Sequence, residues 1–118
     1  MSETLARLTA RLTEFRDARD WRQFHTLKNL MISLNLEASE LLELSQWKSD
    51  AELEAALADP AFHARLSEEC ADILLYLLLI AERSKINLAA AAQAKIAANE
   101  QKYPADKARG NAKKYTEL

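Results

Sequence analysis

The residues that usually build β-sheets or interrupt helices are nearly missing from this chain. Its 118 residues include 22 alanines and 20 leucines, but one glycine, two prolines and no valine. Alanine and leucine are among the strongest helix formers, whereas glycine and proline most often end helices. No segment shows the strict alternation of apolar and polar residues that is typical of a half-buried strand. The sequence therefore predicts an all-α protein, and its length predicts one domain over residues 1–118.

Apolar periodicity and capping signals divide the chain into four long helices and one short helix. We expect the long helices at about residues 3–19, 26–45, 60–85 and 87–102, and the short one at about residues 49–58. Ser49 and Glu52 match a capping box, and Asp59 precedes a proline at the first helical position. Pro104 should end the last long helix and leave an extended polar tail. The pattern indicates a four-helix-bundle-like fold with a short extra helix.

Residues 73–81 form the longest apolar run, which is far shorter than the roughly 20 residues that span a bilayer. A helix that is apolar on all sides is buried on all sides, and one small domain can hardly cover it. We therefore expect a homo-oligomer. A lone cysteine, Cys70, favours a reducing compartment, and we expect it to be a small buried side chain. Because no signal peptide is recognisable, we expect a cytoplasmic protein that does not bind membranes.

Four carboxylates lie within or beside the most apolar parts of the chain, and they form two pairs. The pairs are Glu37 with Glu40, and Glu69 with Asp72. A spacing of three places both acids of a pair on one face of a helix. A carboxylate in apolar surroundings costs several kcal/mol unless it is neutralised or binds a cation. If the two helices pack side by side, the pairs can face each other and form a metal site.

Carboxylate ligands of this kind suit Mg²⁺, with Mn²⁺ as a possible substitute. Mg²⁺ commonly binds a few carboxylates together with substrate phosphates, which points to a nucleotide substrate. A di-iron site would require Glu-x-x-His motifs, and neither His25 nor His63 follows a glutamate at that spacing. Two alternatives stay open. In one, the acids are ordinary surface on a non-catalytic helical oligomer; in the other, the site is a regulatory nucleotide-binding module without turnover.

The segments around these acids resemble the MazG-like nucleoside triphosphate pyrophosphohydrolases, and in particular their dCTP pyrophosphatase branch. The resemblance covers roughly residues 15–118. It is carried by the two acidic pairs and by residues 20–25, 28–30, 46–47, 72–77, 102–104 and 114–118, together with Lys95 and Asn99.

The resemblance implies Mg²⁺-dependent hydrolysis of a (deoxy)nucleoside triphosphate between its α and β phosphates, giving the monophosphate and pyrophosphate. It implies dCTP or a related pyrimidine as substrate, nucleotide-pool sanitation as the role, and a homotetramer built as a dimer of dimers. By position, the catalytic and metal-binding residues are Glu37, Glu40, Glu69 and Asp72. Trp47 and Tyr76 would line the base pocket, and His25 and Asn29 would lie near the nucleotide.

Basic and polar residues near the C-terminus are candidates for binding the phosphates. Lys95, Asn99 and Lys102 share one stripe of a predicted helix, and Arg109 lies in the tail. For the tail residues, a basic edge that is simply exposed to solvent explains the pattern as well as phosphate binding does. A nucleic-acid partner is not expected, because the formal net charge is −2 and no basic stripe dominates.

Overall fold

The computed structural model describes residues 4–118, and this part of the chain contains helices and no strand. The helices are α1 (Leu5–Ala18), α2 (Leu27–Glu43), α3 (Asp50–Ala56), α4 (Pro60–Ser84), α5 (Leu88–Lys102) and α6 (Ala105–Ala108). Single 3₁₀ turns lie at Arg22–Phe24 and Tyr115–Glu117. The all-α prediction is confirmed. The predicted start of the first helix at Glu3 lies outside the described residues.

Side-chain caps begin the long helices where the sequence pattern placed them. The hydroxyl of Thr26 accepts a hydrogen bond from the Asn29 amide at 3.1 Å, and the Asn87 side chain accepts one from the Ala90 amide at 3.0 Å. Such caps satisfy amides that have no partner inside the helix. The predicted capping box of α3 and the Asp59 cap of α4 are both confirmed.

The chain forms two compact units, one ending at Lys85 and one comprising Ile86–Leu118. In the first unit α2 packs along α4, and α1 also packs against α4. The core of this unit consists of Leu30, Leu44, Phe62, Leu78, Leu79 and Ala81. The expectation of one domain over residues 1–118 stays a prediction.

The apolar run in α4 is only partly covered by its own chain. Leu78, Leu79 and Ala81 are buried, whereas the other residues of 73–81 are half-buried. The expectation that Cys70 is buried was wrong, because its position on α4 is exposed. None of the described helices is long and apolar enough to cross a membrane.

The second unit contains α5, α6 and the C-terminal turn. The tail beyond Pro104 carries two short helical turns between its extended residues. The Tyr115 ring meets the Tyr103 ring edge-on, with their centroids 6.1 Å apart, and Lys102 Nζ lies 4.9 Å from the Tyr115 centroid. These ring contacts give the end of the chain a defined path.

Candidate metal and nucleotide site

The two acidic pairs meet because α2 packs along α4. Glu37 and Glu40 lie on α2, and Glu69 lies on α4 with Asp72 one turn further on. One carboxylate oxygen each from Glu37, Glu40 and Glu69 lies within 4.8 Å of the other two. We call Glu37, Glu40, Glu69 and Asp72 the acidic cluster. Packing thus brings together acids that are about 30 residues apart in the chain.

The acidic cluster carries strong like-charge repulsion. Burial, a hydrogen bond with Glu40 and the surrounding negative charges raise the pKa of Glu37 from 4.5 to about 7. Burial and the charge of Glu40 also raise the pKa of Glu69. Asp72 contributes to both shifts, although its oxygens do not belong to the closest group. The ion pairs of the described residues include none of these acids.

Two oxygens of the cluster have no hydrogen-bond partner. Oε2 of Glu37 and Oε2 of Glu69 are both buried and unpartnered. Buried polar atoms normally have a partner, so an unpartnered pair beside other carboxylates fits a bound cation. The donors are all carboxylate oxygens, which are the ligands that Mg²⁺ and Mn²⁺ prefer. The residues present therefore fit the divalent ion that the sequence predicted.

A cavity of about 160 Å³ lies between α1, the turn after it, and α4. We call it the α1–α4 cavity. Its wall includes the aromatic, charged and polar residues Phe15, Arg16, Trp21, His25, Asp72 and Tyr76. Asp72 belongs both to this wall and to the acidic cluster, so the cavity and the cluster adjoin.

Aromatic rings form one side of the α1–α4 cavity. The Trp21 ring meets the Phe15 ring edge-on at 5.7 Å between centroids, and lies 6.5 Å from the His25 ring. Burial and the positive charge of Arg16 lower the pKa of the His25 imidazole, which favours its uncharged form. Its Nδ1 is buried without a partner. The cavity thus offers apolar ring surfaces, with the His25 ring as part of its wall.

Among the residues predicted to contact the nucleotide, His25 and Tyr76 line the α1–α4 cavity and two others do not. The Asn29 side chain donates a hydrogen bond to the Phe24 carbonyl at 3.1 Å, so it fixes the turn before α2. Trp47 is 90% exposed, with a left-handed backbone at φ 66°, and is not part of the cavity wall. The nucleotide-binding roles of His25, Asn29, Trp47 and Tyr76 all stay predictions.

The predicted phosphate-binding residues all lie in the second unit. Lys95, Asn99 and Lys102 are on α5, and Arg109 caps the end of α6. A cavity of about 380 Å³ in this unit is lined by Lys102, Lys107 and Tyr115, among others. The sequence-based selection did not include Lys107, which lies on the short helix that was expected to be extended tail.

Arg16 is the most informative residue that sequence reasoning missed. The residue is 5% exposed, its Nε lies 2.8 Å from Asp17 Oδ1, and its Nη1 lies 3.1 Å from Glu82 Oε2. We call Arg16, Asp17 and Glu82 the Arg16 cluster. A signal was present, since position 16 follows Leu12 by four and therefore falls on the apolar stripe of α1.

The fold and the sequence comparison together define the class of protein. The MazG-like family model matches residues 32–118, and the chain belongs to this family. It is 45% identical to dCTP pyrophosphatase 1 of Rattus norvegicus and 43% identical to dCTP pyrophosphatase 1 of Homo sapiens. Each match spans 98% of this chain but 66% of the relative, so the chain covers just under two thirds of their length.

A solved structure agrees with this membership. The chain is similar to a crystal structure of a pyrophosphatase from Archaeoglobus fulgidus, with 39% sequence identity and a TM-score of 0.79. The alignment covers 88% of this chain and 95% of that one. The resemblance to the MazG-like family that the motifs indicated is confirmed.

Proposed function

We propose that this chain hydrolyses a nucleoside triphosphate between the α and β phosphates, releasing the monophosphate and pyrophosphate. The observation that carries the proposal is the acidic cluster, in which three carboxylate oxygens from two helices converge within 4.8 Å. The names of the similar proteins from Rattus norvegicus and Homo sapiens support the same reaction class. A deoxypyrimidine triphosphate, dCTP first, is the proposed substrate, and sanitation of the nucleotide pool is the proposed role.

The acidic cluster would hold Mg²⁺, with Mn²⁺ as a substitute. When bound, Mg²⁺ supplies positive charge that stabilises the negative charge developing on the phosphates during displacement. Glu37, Glu40, Glu69 and Asp72 are the residues that would ligate it. Two of the four already offer buried oxygens without a partner, so binding would replace repulsion between carboxylates with attraction.

The α1–α4 cavity is the proposed base pocket. Trp21 and Tyr76 supply ring surfaces, and the His25 imidazole would hydrogen-bond an edge of the base. The cavity is smaller than the roughly 300–1,000 Å³ of a pocket for a whole small ligand, so it suits one ring rather than a complete nucleotide. Asp72 on the shared wall would then place the sugar and phosphates toward the acidic cluster.

The basic and amide residues of the second unit remain the proposed phosphate contacts. They are Lys95, Asn99, Lys102 and Arg109. Lysine and arginine hydrogen bonds to phosphate are charge-assisted and about twice as strong as neutral ones. Each of these side chains would donate a hydrogen bond to a phosphate oxygen of the substrate.

We also propose a homo-oligomer, a dimer of dimers, in the cytoplasm. Met31, Ile32, Leu36 and Leu42 are exposed large apolar residues on α2, and the apolar run of α4 is only half-covered. Exposed apolar surface of this kind marks association sites. Trp47, which is outside the cavity of its own chain, would be buried in such an assembly. Size-exclusion chromatography with light scattering measures the molar mass in solution. We expect the mass of four chains, and the mass of a monomer would overturn the proposed assembly.

The test of the reaction is product analysis by ³¹P NMR. The chain is incubated with Mg²⁺ and each of a panel of deoxynucleoside triphosphates, with EDTA as the control. We expect dCMP and pyrophosphate from dCTP, and no products in EDTA. Formation of dCDP and orthophosphate would mean that another bond is cleaved. Binding without cleavage would favour a regulatory nucleotide-binding module, and the absence of both would favour a non-catalytic helical oligomer.

A further inference from the structure

Arg16 connects three elements that surround the α1–α4 cavity. It lies near the end of α1, and its Nη1 donates to Glu82 on α4, 66 residues away in the chain. Its carbonyl oxygen accepts a hydrogen bond at 3.1 Å from the amide of Trp21, in the turn that carries Trp21 and His25. The side chain itself lines the cavity. A single residue therefore ties the aromatic turn and α1 to the helix that carries Asp72 and Tyr76.

The Arg16 guanidinium is held on two sides. Asp17 binds Nε and Glu82 binds Nη1, so the planar group is fixed in orientation as well as in place. Arg19, the residue that caps α1, packs beside these rings, because its guanidinium carbon lies 3.7 Å from the centroid of the Phe15 ring. The Phe15 ring in turn meets the Trp21 ring edge-on, so the aromatic side of the cavity is built from contacting rings of α1 and the turn after it.

Stability alone does not explain a buried arginine at this position. Replacing a buried ion pair by apolar side chains of similar volume is often neutral or stabilising, because desolvation offsets the attraction between the charges. An apolar residue would also continue the apolar stripe of α1. What the ion pair adds is a directional link between particular atoms of α1 and α4, which an apolar contact lacks.

We propose that Arg16 is a positioning residue of the nucleotide site: held by Asp17 and Glu82, it fixes Trp21 and His25 relative to Tyr76 and so sets the shape of the base pocket. The proposal rests on the proposed function, since it assumes that a base occupies the α1–α4 cavity. It assigns Arg16 to substrate binding and not to the chemical step. Loss of the link should therefore weaken base binding and leave the turnover number nearly unchanged.

The test uses the double variant Arg16→Met/Glu82→Leu, which removes both charges and keeps the volume. Arg7→Met is the control, because it removes a charge from an exposed position of the same helix. Binding of dCMP is followed by isothermal titration calorimetry, which leaves both Trp21 and Trp47 in place. The full chain is also assayed for dCTP turnover with Mg²⁺, and for its melting temperature.

We expect the double variant to melt within a few degrees of the control while its Kd for dCMP and its KM for dCTP rise about tenfold. Its kcat should stay within about threefold of the control. Glu82→Gln keeps the acceptor and should bind dCMP like the control, whereas Glu82→Leu should not. If the double variant does not fold, the comparison of dCMP binding by Glu82→Gln and Glu82→Leu decides whether the ion pair shapes the base pocket.

The outcomes separate this inference from the proposed function. A double variant with control-like Kd and KM would show that the ion pair serves packing alone, which overturns the inference. The unaltered chain could hydrolyse no triphosphate while the double variant still binds dCMP more weakly than the control. That result would overturn the proposed reaction and support the role of Arg16. A chain that neither binds dCMP nor hydrolyses dCTP would overturn both.

Discussion

Two groups of charged side chains pack against α4, and their charges are balanced in opposite ways. In the acidic cluster, carboxylates of α2 and α4 approach one another, and two buried oxygens have no partner. In the Arg16 cluster, one buried guanidinium lies between two carboxylates at 2.8 and 3.1 Å. The first group consists of acids alone and could hold a cation from outside the chain, whereas the second contains its own cation, the Arg16 guanidinium.

This difference separates the proposed metal site from an ion pair that links two helices. Like charges held together raise the free energy of the folded chain, and a cation that binds between them lowers this free energy again. Opposite charges held together offset their own desolvation and leave little affinity for a further ion. Removing one charge should therefore have opposite effects on stability in the two groups, and this expectation can be tested directly.

The largest expected effect is on turnover. Glu69→Gln should lower kcat/KM for dCTP by at least about 100-fold, because even the outer partners of metal ligands are typically worth 10–100-fold. Pyrophosphate release is the measurement. Glu68→Gln, at the exposed position next to it, is the matched control and should stay close to the unaltered chain. Near-normal turnover by Glu69→Gln would remove the acidic cluster from the mechanism.

Removing the central charge of the Arg16 cluster should destabilise the fold. Arg16→Met leaves the Glu82 carboxylate, whose side chain is 30% exposed, without its cation. Because Glu82 retains some water, we expect a loss of about 1–2 kcal/mol in the free energy of unfolding, less than for a fully buried pair. Urea unfolding measures it, with Arg7→Met as the reference. Equal stability of the two variants would contradict the comparison.

Removing a charge from the acidic cluster should have the opposite sign. In EDTA, Glu37→Gln should raise the melting temperature by a few degrees, since it relieves repulsion from Glu40, Glu69 and Asp72. Excess Mg²⁺ should stabilise the unaltered chain more than this variant, because the variant has lost a ligand. A lower melting temperature in EDTA would show that Glu37 is compensated by a group of its own chain.

The raised pKa of Glu37 also predicts how stability depends on pH. Its pKa is about 7 in the folded chain, against an ordinary value of 4.5, so the folded state binds the proton more tightly. The resulting stabilisation is complete below pH 4.5 and is lost as the pH rises through 7. In EDTA, the unaltered chain should therefore lose more stability between pH 5 and 8 than Glu37→Gln does. Urea titrations of both proteins at pH 5 and pH 8 measure these losses. Equal losses for the unaltered chain and Glu37→Gln would show that the pKa of Glu37 is not raised.

The smallest effect is expected at the edge of the Arg16 cluster. Asp17 is largely exposed, with 56% of its side chain accessible. Asp17→Asn keeps an oxygen that can accept from Arg16 Nε, and water screens the charge that is lost. Its melting temperature should match that of Arg7→Met. A destabilisation as large as that of Arg16→Met would mean that Asp17, and not Glu82, holds the guanidinium.

Local signals in the sequence predicted much of the fold. Thr26, Ser49 and Asn87 begin helices because their side chains accept hydrogen bonds from amides three residues away, and such contacts do not depend on distant parts of the chain. The spacing of three within each acidic pair likewise settles which acids share a helix face. The family and the positions of the acids could also be predicted, because the motifs that indicate them are short stretches of neighbouring residues.

The tertiary structure decided what those local features meet. Glu37 and Glu69 become a shared site because α2 packs along α4, and Arg16 reaches Glu82 across 66 residues of sequence. How deeply a side chain is buried depends on all neighbouring elements at once. Burial raises the pKa of Glu37, whereas Cys70 and Trp47 remain exposed. The sequence by itself determined the helices and the acids they carry, since both follow from near neighbours. The packing of α1 and α2 on α4 decided which charges oppose and which compensate one another, because Coulomb energy depends on distances through space and not along the chain.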